Sequence, residues 1–187
     1  EGDMKKIVII ANLNKPEAVK LSHDVTKWFI DRSVEVYVDN ELGKKIGHTK
    51  TYSNMKIPVP VDLVIVLGGD GTMLYAARLV DDKKIPILGI NLGGLGFLTA
   101  ITTQEIYPVL EEIVKGAFAT EERMMLSIQI QRNDEKPSTY TVLNDIVVKG
   151  IMARLVNMDV RINKEHITTY RADGLIVSTP TGSTAYS

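Results

Sequence analysis

The sequence contains no cysteine, and that absence excludes a disulfide framework, a thiolate zinc site and a thiol nucleophile together. Long apolar runs are missing too. None reaches the roughly 18 residues that cross a bilayer, so no membrane partner is expected. Glu1-Gly2-Asp3 ahead of Met4 reads as a cloning remnant rather than a signal peptide, and together with the lack of thiols it points to a cytoplasmic protein. Neither sign of charge dominates: 22 Lys and Arg against 23 Asp and Glu give a formal net charge of -1. Nothing global therefore attracts nucleic acid, and an anionic ligand has to be held by a local cluster. The three histidines, His23, His48 and His166, stand far apart without metal-ligand spacing and are assigned surface or structural roles.

Two familiar phosphate cradles are also absent. No Lys-Ser/Thr pair closes a GxxxxGK[ST] frame, and Leu74 stands where the fingerprint GxGxxG would need its third glycine after Gly69 and Gly71.

What is present, over 187 residues with 44% hydrophobic and 24% charged, is the composition of an ordinary globular protein with one substantial core or two modest ones. Lys6 to Ala11 reads as a buried strand and Pro16 to Ile30 as an amphipathic helix. Val34 to Val38 is a second strand, Asp39 to Val59 a loop-rich connection, and Val61 to Leu67 a third strand. A helix over Thr72 to Asp82, a strand over Ile85 to Asn91 and a helix over Thr102 to Lys115 ending at Gly116 complete an alternating pattern. That alternation predicts a parallel α/β sheet with helices on both faces and a ligand site beyond the carboxyl ends of its strands.

From Glu121 the pattern changes. Met125 to Arg132, Tyr140 to Lys149, Val156 to Asn163 and Gly174 to Ser178 have strand composition with no helix between them. The expected organisation is an α/β domain over residues 1–116 and the start of an all-β, sandwich-like domain over 117–187, with too few strands to close the sandwich.

Four stretches carry chemistry. "GGDGT" sets Asp70 among Gly68, Gly69, Gly71 and Thr72 at a strand-to-helix turn. Asp70 is either a helix cap or a carboxylate cleared of neighbouring side chains so that a ligand can approach. "NLGGLGFLT", Asn91 to Thr99, is either a hydrophobic turn or a second open loop at the next strand end, where Phe97 offers a ring face to a nucleobase. Asn144 and Asp145 interrupt a strand pattern, as an edge, a bulge or a site suited to ribose hydroxyls. "RADGLIVSTPTGSTAYS" places Arg171 and Asp173 ahead of a hydroxyl-rich segment, either a plain loop or a set of phosphate and amide contacts.

In order and spacing, "GGDGT", "NLGGLGFL", "LND" and "DGLIVSTPTGSTAYS" resemble the motifs of bacterial and archaeal NAD kinases along the whole chain. The pentapeptide alone is shared with diacylglycerol, sphingosine and, in variant form, phosphofructokinases; the terminal segment is the specific one. The resemblance implies transfer of a phosphate from ATP or inorganic polyphosphate, with a divalent metal such as Mg²⁺, to the adenosine ribose 2′-hydroxyl of NAD. It implies that Asp70 acts as base or places the metal, while Gly68, Gly69, Gly71 and Thr72 form the loop around it. Asn144 and Asp145 would hold a ribose, Asp145 on a shorter arm than the family's glutamate, and Phe97 would line the adenine pocket. Thr184, Ala185 and Tyr186 would contact NAD; Arg171 and Asp173 would meet it from the same or a neighbouring subunit of a homodimer or homotetramer. Family members run well beyond residue 187, which implies a fragment. A lipid or sugar kinase and a non-catalytic dinucleotide-binding protein are the competing expectations.

Overall fold

The computed structural model describes residues 4–53, 56–93, 96–151 and 154–185. It divides into two compact units, Glu1–Glu122 and Arg123–Ser187.

The first unit is built on a six-stranded parallel sheet. In chain order its elements are β1 (Lys6–Ala11), α1 (Pro16–Ile30), β2 (Glu35–Asp39), α2 (Asn40–Ile46), β3 (Thr51–Tyr52), β4 (Leu63–Gly68), α3 (Asp70–Val80), β5 (Ile87–Asn91), β6 (Ile101–Thr102) and α4 (Ile106–Val114). Strand order is β3-β2-β1-β4-β5-β6. The centre is the β1–β4 pair, in register from Ile7 opposite Leu63 to Ala11 opposite Leu67. Both strands are unbroken apolar runs because helices cover both faces. Ile7, Ile9, Ile65 and Leu67 pack with Phe29 of α1 and Leu110 of α4, while Val8, Ile10, Val64 and Val66 pack with Met73, Ala76 and Leu79 of α3. By contrast β2 alternates buried and half-exposed residues, and its solvent side carries Glu35 paired to Lys50 at 2.8 Å.

The sequence expectation of a loop over Asp39 to Val59 is corrected here. Asp39 caps α2 by accepting from the Glu41 and Leu42 amides at 2.8 and 2.9 Å, and Gly47 closes the helix with φ +70°. Gly43, read as a loop signal, lies inside the helix because a Cβ there would strike Thr51 and the His48 carbonyl. The helix expected over Thr102 to Lys115 begins instead as β6 and a 3₁₀ turn, Thr103–Glu105, with α4 starting at Ile106.

The second unit consists, among the described residues, of three antiparallel two-stranded ladders: β7 (Leu126–Ile130) with β8 (Ser138–Val142), β9 (Asp145–Lys149) with β12 (Gly174–Ser178), and β10 (Val156–Ile162) with β11 (Glu165–Ala172). The single strand expected over Tyr140 to Lys149 is two strands, broken at Leu143 and Asn144. β11 was not expected; it follows a tight turn in which Asn163 and Lys164 both take positive φ, 51° and 73°. Lysine is a poor signal for that conformation. After β12 the hydroxyl-rich segment, expected as a loop, forms a one-turn helix α5 (Pro180–Ser183) capped by Thr179.

Candidate functional site

Two chain reversals define a crevice in the first unit. From the central pair the chain moves outward in opposite directions, β1 through α1 to β2 and β4 through α3 to β5. Ligands of open parallel sheets bind beyond the strand ends at such a switch point. Here a cavity of about 820 Å³ opens there, with Asn12, Lys15, Asp39, Gly69, Gly71 and Thr72 among the residues of its wall. The turn after β1 is pinned to β4: the Asn12 amide donates to the Leu67 carbonyl at 2.9 Å, and the Asn12 side chain accepts from the Asn14 amide at 3.0 Å.

The "GGDGT" turn sits across this crevice. Gly69 is the N-cap of α3 and has no side chain to cap it, and Asp70 is the first helical residue. Asp70 does not cap its own helix. Its Oδ2 accepts from the Phe97 amide at 3.1 Å and its Oδ1 from the Leu98 amide at 3.0 Å, tying α3 to the loop after β5. The same loop is fixed from below, where buried Asn91 donates through Nδ2 to Thr99 Oγ1 at 2.9 Å and accepts through Oδ1 from the Gly93 amide at 3.0 Å. Gly96 is required by this packing. A Cβ on it would stand 2.7 Å from Asp70 Oδ1 and from Thr99 Oγ1.

The glycines around Asp70 are not equivalent. A Cβ on Gly68 would run into the Thr72 side chain, whereas Gly69 and Gly71 face open space and have no positive φ. Neither packing nor backbone conformation requires glycine at those two positions. Their effect is to leave the start of α3 bare of side chains around the Asp70 and Gly71 amides, a setting that suits anionic oxygens, while the Thr72 amide donates to the Gly69 carbonyl at 3.0 Å. Phe97 is 55% exposed.

Among the described residues of the second unit the buried ones are Leu143, Thr179, Thr181 and Gly182, and they join two of the sequence motifs. Thr179 Oγ1 donates to the Leu143 carbonyl at 2.6 Å and accepts from the Gly182 amide at 3.2 Å, and the Thr179 amide donates to the Asn144 carbonyl at 2.8 Å. Gly182 lies so close to Asn144 that a Cβ would overlap its backbone. Asp145 pairs with Ser178 across the β9–β12 ladder. Asn144 thus stands at a strand break with its Oδ1 buried and, among the described atoms, without a hydrogen-bond partner. Thr184 and Ala185 follow, exposed, with the Ala185 amide donating to the Gly182 carbonyl at 3.1 Å. Exposed Arg171 belongs to a different ladder, opposite Asn157, and the Asp173 carbonyl accepts from the Gly150 amide at 3.3 Å. Tyr186 lies outside the described residues.

Sequence reasoning missed Lys15, the Asn91–Thr99 pair and Thr179. Only the position of Asn91 and Thr99 at the two ends of the glycine loop could have signalled them. The histidines serve local contacts: His48 Nε2 lies 2.8 Å from the Val36 carbonyl, and His166 Nε2 lies 3.2 Å from Thr169 Oγ1.

Residues 7–118 match the family model of the ATP-NAD kinase N-terminal domain, and residues 143–187 that of the ATP-NAD kinase C-terminal domain. The NAD kinase of Geobacter sulfurreducens is 46% identical over 185 residues, and that of Geotalea daltonii 45% over 185. Each alignment covers 98% of this chain but 65% of the relative, so the chain spans just under two thirds of their length. Among solved structures, yeast NADH kinase complexed with NADH has a TM-score of 0.84 at 24% identity, over 100% of this chain and 60% of that one. An NAD kinase from Archaeoglobus fulgidus in complex with ATP has a TM-score of 0.64 at 23% identity, over 97% and 63%. At those identities the likeness is one of fold.

Proposed function

The chain belongs to the ATP-NAD kinase family, and from that premise we propose that the full-length protein phosphorylates the adenosine ribose 2′-hydroxyl of NAD, giving NADP. The observation that carries the reading is Asp70, whose carboxylate is held between the bare first turn of α3 and the loop after β5 rather than used as a helix cap. In the proposed reaction the 2′-oxygen attacks the terminal phosphorus of ATP. The bond from that phosphorus to the bridging oxygen breaks, ADP leaves, and the hydroxyl proton passes to Asp70. Two backbone amides fix the carboxylate while each oxygen keeps lone-pair capacity for the acceptor hydroxyl. A positioned base of this kind contributes about 10²–10⁴-fold. The amides of the first turn of α3 bind donor phosphate.

A divalent metal such as Mg²⁺, bound with the donor phosphates, would supply neutralisation of their charge, and Asp70 is the residue that would help place it. Asn144 and Asp145 hold a ribose, and Asn144 Oδ1, without a partner among the described atoms, is the acceptor for a ribose hydroxyl. Phe97 lines the adenine pocket. Thr184, Ala185 and Tyr186 contact NAD, as do Arg171 and Asp173 from the same or a neighbouring subunit of a cytoplasmic homo-oligomer. Support for both nucleotides comes from relatives: the yeast enzyme was solved with NADH and the archaeal one with ATP.

The test is a coupled assay of the full-length protein with Mg²⁺, ATP or polyphosphate, and NAD. NADP formation is the expected result. Phosphorylation of a lipid or sugar instead, or NAD binding with no turnover under any donor, would overturn the reading.

A further inference from the structure

We propose that Lys15 is a ligand of the phosphate donor, binding its condensed phosphate chain at the mouth of the β1–β4 crevice; the identity of that ligand rests on the kinase reading above. The first observation is placement. Lys15 lines the cavity together with Gly69, Gly71 and Thr72, and its Nζ lies 3.9 Å from where a Cβ on Gly93 would stand; the wall also carries two carboxylates, Asp39, engaged in capping α2, and Glu41, paired with Lys44 at 3.7 Å. The ammonium therefore spans from the turn after β1 to the loop after β5. It is half-buried, and no carboxylate among the described residues pairs with it.

The second observation is independent of the cavity. Lys15 is the N-cap of α1, with φ -110° and ψ 108°, and its side chain makes no capping bond. An N-cap favours Ser, Thr, Asp or Asn, whose oxygen satisfies a first-turn amide, and the positive end of the helix disfavours a cation. Lysine is thus the locally wrong residue twice over. Pro16 at the first helical position gives the helix an otherwise regular start, so the turn itself gains nothing from lysine. Local rules broken in this way fall where a site needs the residue. An ammonium lining the same cavity as the start of α3 is complementary to a chain of phosphate oxygens.

The residue carries a testable signature, because stability and binding are predicted to move in opposite directions. Full-length Lys15→Ser, Lys15→Arg and Lys20→Gln, the last removing a charge from the exposed side of α1, are titrated calorimetrically with inorganic tripolyphosphate. They are then assayed with NAD and either MgATP or polyphosphate. Lys15→Ser is expected to weaken tripolyphosphate binding and raise the donor KM by about tenfold or more. The KM for NAD should stay within about twofold, and Tm should rise by about 2–4 °C. Lys15→Arg should retain binding, and Lys20→Gln should match the parent. Equal losses with ATP and with polyphosphate support recognition of the phosphate chain; a loss with ATP alone overturns it, because the nucleoside would then be what Lys15 reads. Unchanged tripolyphosphate affinity, or a fall in Tm accompanying weaker binding, also overturns it. Absence of NADP with every donor defeats the kinase reading, while the calorimetric titration still decides the role of Lys15.

Discussion

At the scale of single residues, the environment of Asp70 alters what its substitution tests. Asn at this position presents one oxygen and one NH₂ group to two backbone donors, so the Phe97 or the Leu98 amide loses its acceptor. Asp70→Asn is therefore expected to lower kcat at least about 10²-fold and also to destabilise the loop by about 1–3 kcal/mol, measured by steady-state kinetics and urea unfolding. Gly96→Ala separates the two roles. It keeps the carboxylate but forces a methyl to within 2.7 Å of Asp70 Oδ1. If Gly96→Ala matches the stability loss of Asp70→Asn while keeping more than about a tenth of kcat, the base assignment stands; an equal loss of kcat makes Asp70 a positioning residue only. Tyr52 poses a different residue-scale problem. Its hydroxyl is buried without a partner among the described atoms, and burial, with Asp39 and Tyr75 nearby, raises its pKa well above the ordinary value near 10. A raised folded-state pKa means that the stability tied to the neutral phenol is complete below the unfolded value and declines as pH rises past about 10. Tyr52→Phe should raise stability at pH 7 by about 1 kcal/mol and push the alkaline unfolding midpoint upward; thermal melts from pH 7 to 11 check both.

At the scale of elements, the strands and helices that could be read from the sequence are those whose apolar pattern is continuous and local. β1, α1, β4 and α3 fall where periodicity puts them, to within a residue or two. α2 was hidden because Gly43 and Gly47 look alike in sequence, although one is a close contact against Thr51 and the other a left-handed helix end. β11 was hidden by a lysine in a positive-φ turn. The candidate site was half legible for the same reason. The composition of "GGDGT" announces a bare loop, but the bonds from Asp70 to residues 27 and 28 positions away have no local signature. Nor does the pinning of Thr179 to Leu143, 36 positions away. That last contact makes an element-scale prediction. Thr179 simultaneously caps α5 and anchors the strand break that presents Asn144. Thr179→Val keeps the shape and the amide bond to the Asn144 carbonyl but removes the hydroxyl's bonds to the Leu143 and Asn144 carbonyls and the Gly182 amide, and should destabilise the chain by about 1–2 kcal/mol while raising the KM for NAD, read from thermal melts and kinetics. An unchanged NAD KM would show that Asn144 does not depend on this anchor.

At the scale of the whole molecule, the two units differ in how their strands are covered. In the first, β1 and β4 are hydrogen-bonded on both edges and packed on both faces, so their amides can exchange only when much of the sheet opens. In the second, each described ladder has two strands, and apolar side chains such as Val147 and Ile176, paired across β9 and β12, remain about half exposed. Two-stranded ladders without a covered face are marginal in water. Hydrogen exchange of the 187-residue chain should therefore leave the β1 and β4 amides slower than those of β7–β8 and β10–β11 by roughly 10³-fold or more. Within the second unit the slowest amides should be those of Thr179 and Gly182, whose bonds lie in its one buried cluster among the described residues. Because the proposed function assigns Asn144 and Phe97 to NAD, adding NAD to the full-length protein should slow exchange at the Thr179 and Gly182 amides and, separately, at the Phe97 and Leu98 amides, while β1 and β4 stay unchanged. Protection of β10–β11 equal to that of β1–β4 would contradict the exposed-ladder account. NAD-dependent slowing confined to the first unit would remove Asn144 and its anchor from the proposed binding residues and leave Asp70 and Phe97 in place.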